Sequence, residues 1–208
     1  MTRILLIGGS PSHPSKAHML LNYAKDLLEN QPERSFDNAK LKINTLLVRD
    51  LLAEDLAFGR YSSPALIYPK KLIQDADGLI IVSPISKAAY TGVLKSFLDL
   101  LPRGILAQKV ILPLATSNTI AHSLAIDYSL KPVLAELGAT SILNSVFAVE
   151  DHLQQSSSGI TVDIAITLRL QTALQDFVEA IAANKTKNGN KINPTLSQQP
   201  TLQEVYAI

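Results

Sequence analysis

The sequence predicts an α/β domain built on a doubly wound parallel sheet, and three observations carry that prediction. Five short runs rich in Ile, Leu and Val recur along the chain, at Arg3–Gly9, Leu41–Val48, Asp77–Pro84, Lys109–Thr116 and Ser141–Val149. Each is bounded by turn residues and separated from the next by a segment of helical periodicity. The first, third and fourth runs are continuously apolar, as strands buried on both faces of a parallel sheet require.

Taken in order, the first strand ends in Gly8-Gly9 and leads to a helix over Ser15–Glu29. After the second strand a helix covers Pro64–Gln74, after the third Thr91–Leu100, after the fourth Thr119–Leu137, and after the fifth Thr161–Ala183. This alternation builds right-handed βαβ crossovers with helices on both faces of the sheet. A five-stranded parallel sheet with a glycine turn after its first strand predicts the flavodoxin-like order 2-1-3-4-5, whose ligand crevice lies outside the carboxyl ends of the strands. The loops that open near Gly8, Ser83 and Ala115 are therefore the candidate site. Residues 1–183 form the expected domain and residues 184–208 a polar C-terminal tail, with a second polar stretch at Asn30–Lys40 read as an exposed connection.

Composition narrows the function classes. The chain of 208 residues carries 19 basic and 18 acidic residues, a net charge of +1, with no long block of one sign. No footprint for nucleic acid or an anionic membrane follows from it. Cysteine is absent, which removes thiol catalysis and thiolate metal sites, and no apolar run is long enough to span a bilayer. A soluble cytoplasmic chain acting on small molecules is the expectation.

The first loop, Gly8-Gly9-Ser10-Pro11-Ser12-His13-Pro14-Ser15-Lys16, sets hydroxyls beside the start of a helix. Exposed amides and the positive end of the helix dipole attract an anion there, and Lys16 adds a point charge. The same residues also describe a plain turn with Ser15 as N-cap. The loop alone leaves both readings open. It lacks G-x-x-x-x-G-K-[ST] and G-x-G-x-x-G, so triphosphate and dinucleotide loops are disfavoured, and no closing glycine makes a G-x-S-x-G elbow around Ser10. A receiver-type acidic cluster is missing from the first and third strand ends. The four histidines are too scattered to form a recognised metal-ligand pattern, and no metal site is predicted.

The segment Asp75–Pro102, DADGLIIVSPISKAAYTGVLKSFLDLLP, resembles the NADPH-dependent FMN reductase family at Pro84, Thr91, Gly92, Lys95 and Leu98–Pro102. Leu112–Ala139 and Ala53–Leu66 are similar to the flavin reductases of two-component alkanesulfonate monooxygenase systems within it. The resemblance implies FMN and NADPH as cofactors, hydride transfer to the flavin, and a flavin-dependent monooxygenase as partner. It implies Ser10, Ser12, Ser15 and Lys16 at the phosphate, Pro84, Ile85, Ser86 and Lys87 along the isoalloxazine ring, and Thr116, Ser117, Asn118 and Thr119 at its other side. No side chain is singled out as catalytic, because the cofactor carries the hydride chemistry.

The chain departs from the family pattern where Lys16 stands for a common Arg, where Ser12 and Ala17 replace Arg and a hydroxyl, where Ser86 replaces a Tyr, and where Ser117-Asn118 replaces Gly-Gly. Lys lacks the two-pronged phosphate geometry of Arg, so weaker FMN binding is expected. These departures keep two other readings in play: a catalytically impaired flavin-binding or oligomerisation module, and a quinone or azo reductase of the same fold.

Pro132 falls inside the apolar stripe Ile126, Leu130, Val133, Leu134 and Leu137. A helical proline lacks the amide proton for the carbonyl four residues back, that of Tyr128. A kinked core helix and a π-type bulge both satisfy this constraint. The resemblance implies the bulge, with Tyr128 at a subunit interface beside the flavin, in a homodimer or homotetramer.

Overall fold

The computed structural model describes residues 1–30, 41–156 and 159–189. The strands β1 (Thr2–Gly8), β2 (Leu41–Leu47), β3 (Gly78–Ser86) and β5 (Val110–Ser117) are parallel, and a fifth position is filled by β6 (Ser141–Ile142) and β7 (Val146–Val149). Their order is β2-β1-β3-β5 followed by β6 and β7, which is the expected 2-1-3-4-5. The sequence at Asn30–Lys40 falls, from residue 31 on, outside the described residues.

Successive residues of each strand point to opposite faces, so the sheet divides the core in two. Leu5, Ile7, Leu79, Ile81, Ile111 and Ala115 face the helices α2 (Ala53–Phe58), α3 (Ile67–Asp75), α4 (Gly92–Asp99) and α5 (Lys131–Glu136). Ile4, Leu6, Ile80, Val82, Leu112 and Leu114 face α1 (Lys16–Glu29) and α6 (Ile164–Gly189). Burial of both faces explains why these strands read as unbroken apolar runs.

The fifth run, Ser141–Val149, is not one strand. The Leu143 amide donates to the Ile111 carbonyl at 2.9 Å, so the odd-numbered residues of β5 direct their peptide groups toward the fifth position. Pro113 is among them and has no N–H to give. Opposite it the pairing jumps from Ile111–Ile142 to Leu114–Val146, three residues on β5 against four on its partner, a bulge of one residue. The outer edge of β7 is held by Arg169, whose guanidinium donates to the Phe147 carbonyl at 2.9 Å. Beside that edge a groove of about 450 Å³ runs between Leu143–Val146 and α6.

Several expected boundaries move. Thr161 and Val162 belong to β9 (Gly159–Val162), which pairs antiparallel with β8 (Leu153–Ser156), a hairpin that the polar Gln154-Gln155 had hidden. The last helix starts instead at Ile164, with Asp163 accepting the Ala165 amide at 2.8 Å. It runs to Gly189, so the tail boundary at 184 falls inside a helix, and residues 190–208 lie outside the described part. The expected helix Thr119–Leu137 is three pieces: a 3-10 turn at Ile120–His122, a π-helix at Ile126–Leu130, and α5. Pro132 stands in the first turn of α5, where a missing N–H costs nothing.

Candidate functional site

The three loops meet at the carboxyl ends of the strands. Gly8 is level with Val82, and Pro84 with Thr116. Hydrogen bonds then stitch the first loop to the second. The Gly9 amide donates to the Val82 carbonyl at 2.8 Å, and the Thr91 hydroxyl donates to the Gly9 carbonyl. The Thr91 amide donates in turn to the Ser83 hydroxyl at 3.1 Å. Thr91 also caps α4, accepting the Leu94 amide at 3.3 Å. From sequence Ser83 opens the second candidate loop and Thr91 carries part of the family resemblance, but neither is given a role at the ligand, although a threonine directly before a helix is a legible cap. A Cβ on Gly9 would lie 2.7 Å from Leu94 Cδ2, so only glycine lets the loop approach α4 this closely.

In the first loop, Ser10 is buried and its hydroxyl accepts the Ser12 amide at 3.3 Å. Ser12 itself is exposed. Ser15 is the N-cap of α1, accepting the His18 amide at 3.4 Å. The turn reading of this residue therefore holds, without excluding an anion above the free amides of the helix. Lys16 differs from expectation: its ammonium donates to the Leu153 carbonyl at the start of β8. That bond anchors its charge at the hairpin side of the loop. His18 sits in the first turn of α1, 8% exposed, with Nε2 unpartnered among the described residues. Burial, then the positive charges of Arg49 and His13, hold its pKa below the ordinary 6.5.

The second loop is a hairpin in which β3 turns onto β4 (Ala89–Tyr90), with Ile85 opposite Tyr90 and Ser86 opposite Ala89. Its tip, Lys87-Ala88, adopts φ of 53° and 61°. Two left-handed residues in a two-residue turn are the I′ geometry that normally calls for Asn-Gly. Here two residues with side chains hold it, and such strain clusters at ligand clamps. Pro84 and Ile85 lie below the tip, Ser86 and Lys87 on it. Tyr90 is buried, and burial, followed by Asp99, pushes its phenol up to about 12.

In the third loop, Thr116 is fully buried with its hydroxyl unpartnered among the described residues. Ser117 is buried beside it, its hydroxyl 2.9 Å from His122 Nδ1. Asn118 is exposed and Thr119 caps the following turn through the Ala121 amide at 3.3 Å. The π-helix closes this side: the Lys131 amide reaches the Ile126 carbonyl, five residues back. Tyr128 is 80% exposed, which removes the kinked core helix as its setting. With Ile120 at 67% and Leu124 at 57%, it forms an apolar stripe facing outward.

A cradle made from a glycine approach, a helix N-terminus, a strained hairpin and an orphaned buried hydroxyl, all at the reversal of strand order, suits a planar phosphorylated ligand such as FMN. That combination defines a flavodoxin-like oxidoreductase. Residues 2–154 match the family of NADPH-dependent FMN reductases, and the chain belongs to that family. A protein of Escherichia coli K12 named FMN reductase (NADPH) is 40% identical over 179 residues, 86% of this chain and 90% of that protein. A protein of the same name in Pseudomonas putida KT2440 is 38% identical over 181 residues, covering 86% and 88%. Among solved structures, the apo form of the NADH:FMN oxidoreductase EMOB superposes with a TM-score of 0.74 at 36% identity, over 86% of this chain and 90% of that one.

Proposed function

We propose that FMN lies across the carboxyl ends of β1, β3 and β5, with its phosphate above the first turn of α1, and is reduced there by NADPH. The observation that carries this placement is the Gly9–Thr91–Ser83 hydrogen-bonded tie, which fixes the phosphate loop relative to the strained hairpin. When bound, FMN supplies the acceptor for the nicotinamide hydride. The chain's own residues orient it. Ser10, Ser12 and the amides following Ser15 hold the phosphate, Pro84–Lys87 set one wall of the ring site, and Thr116–Thr119 set the other. NADPH as donor is supported by the two relatives named for it, and no side-chain acid or base is needed for hydride transfer.

Lys16 is engaged with Leu153 and no arginine stands in the phosphate loop, so the grip on phosphate rests on amides and hydroxyls. This favours FMN as an exchanging substrate whose reduced form departs to a partner monooxygenase in the cytoplasm. The similarity of Leu112–Ala139 to reductases of alkanesulfonate systems supports that partner. The stripe Ile120, Leu124 and Tyr128 supports pairing of two copies, isologous in a dimer and extendable to a tetramer, with Tyr128 gating the flavin from the contact. Purified protein given FMN and NADPH should oxidise NADPH well above a control without protein. No excess oxidation together with normal FMN binding would instead identify an impaired flavin-binding module.

A further inference from the structure

We propose that His122, held through Nδ1 by the buried Ser117 hydroxyl, presents its Nε2–H to an acceptor atom of the flavin ring and is a positioning residue for the cofactor. This rests on the flavin placement above. The argument begins with the proton of Ser117. Its hydroxyl has three neighbours: His122 Nδ1 at 2.9 Å, Asn118 Oδ1 at 3.4 Å, and the Thr119 amide at 3.5 Å. The amide can only donate, so it occupies a lone pair of the hydroxyl. Asn118 lies beyond the normal range for an O–H···O bond. Taking Nδ1, the nearest acceptor at 2.9 Å, as the partner of the hydroxyl proton leaves the imidazole's own proton on Nε2.

Nε2 has no hydrogen-bond partner among the described residues, and the ring is only half buried. Ser117, by contrast, is 1% exposed and has little reason to be polar except to hold something. The location is informative as well. Residues 118–125 lead from the end of β5 to the π-helix, and that helix packs against β4 of the strained hairpin. His122 lies in the segment that joins the third loop to this helix. Ser117-Asn118 occupies the place where the family pattern has Gly-Gly and backbone amides near the ring. A serine at that place cannot bring its amide as close, and an oriented imidazole N–H supplies a donor by another route.

The test uses four variants, each titrated with FMN by fluorescence quenching and melted as a control for folding. His122→Phe keeps an aromatic ring but removes both nitrogens, and should weaken FMN binding to the folded protein about tenfold, the effect of one hydrogen bond worth about 1.4 kcal/mol, while its melting temperature falls only by as much as that of the double variant or a little more, through the unpartnered Ser117 hydroxyl. His122→Gln, whose amide reaches the place of Nε2, should restore most of the affinity. Ser117→Ala should weaken binding about threefold, as a loss of orientation. The double variant Ser117→Ala with His122→Phe should bind no more weakly than His122→Phe, because the serine acts only through the imidazole. Affinity of His122→Phe within about twofold of the wild type would overturn the proposal, as would losses that multiply in the double variant. Wild-type protein that quenches no FMN would overturn the flavin placement itself.

Discussion

The two ends of the sheet are built by different rules. At the amino end, buried charge is satisfied. Lys109 donates to the carbonyls of Gln74 and Ala76 at 2.9 and 2.8 Å, and Asp77 accepts from the Arg3 amide and the Lys185 ammonium, both at 2.7 Å. The left-handed residue there, Gln108, has its carbonyl tied by Asn184 at 2.7 Å. At the carboxyl end the reverse holds. The two buried side-chain atoms without a partner among the described residues, His18 Nε2 and Thr116 Oγ1, both lie there, beside a hairpin of consecutive left-handed residues and a stripe of exposed apolar side chains. An unmet polar atom costs about 1–3 kcal/mol. A ligand that supplies the missing partners offsets such costs, so the contrast supports the proposed site independently of any motif.

Four experiments break or sharpen that contrast. Lys109→Ala strips two backbone carbonyls of their donor at the satisfied end and should lower stability by about 2–3 kcal/mol in urea denaturation, with FMN affinity of the folded protein unchanged. A loss of affinity without a loss of stability would reverse the roles assigned to the two ends. At the other end, Ala88→Gly relieves a φ of 61° on an exposed residue and should raise stability by about 0.5–1 kcal/mol. Reduced FMN turnover in this more stable variant would tie the strain to the site, while unchanged turnover would make the strained tip incidental.

The third experiment uses pH. Because burial and neighbouring positive charges depress the pKa of folded His18, the unfolded chain takes up a proton near pH 6.5 that the folded one refuses. Its contribution is fully present above that pH and is lost as pH falls toward the lowered value, with a slope of at most about 1.4 kcal/mol per pH unit. Melting temperatures of the wild type should fall faster on acidification than those of His18→Gln, and parallel curves would refute a buried neutral imidazole. The smallest effect belongs to Tyr128→Ala. A side chain 80% exposed should cost less than about 0.5 kcal/mol in the dilute monomer, while light scattering reports fewer oligomers and FMN exchange changes. A large loss in the monomer would mean that the ring is packed after all.

Much of this was legible in the chain, and the reasons differ by element. β1, β3 and β5 are continuous apolar runs because both of their faces are covered, so pattern alone located them. The three loops followed from topology. The break in the fifth strand was not legible, because it depends on which way Pro113 faces in a neighbouring strand. The β8–β9 hairpin was missed because its residues are polar and lie off the main sheet. The bond from Lys16 to Leu153 spans 137 positions, and no local pattern announces it. Ser117 ends β5 and His122 ends a 3-10 turn five residues on, so neither the helical nor the strand period puts them together. Their pairing is made by the tertiary fold.

An exposed strand edge invites another chain to extend the sheet, and natural proteins blunt such edges. At the β7 edge the strand is four residues long, preceded by the bulge opposite Pro113, and its outward Phe147 carbonyl is already taken by Arg169. A visiting strand would find too short a ladder and a charged side chain across it. Growth by edge-to-edge stacking, the first step toward insoluble fibrils, is thereby blocked at this edge of the sheet.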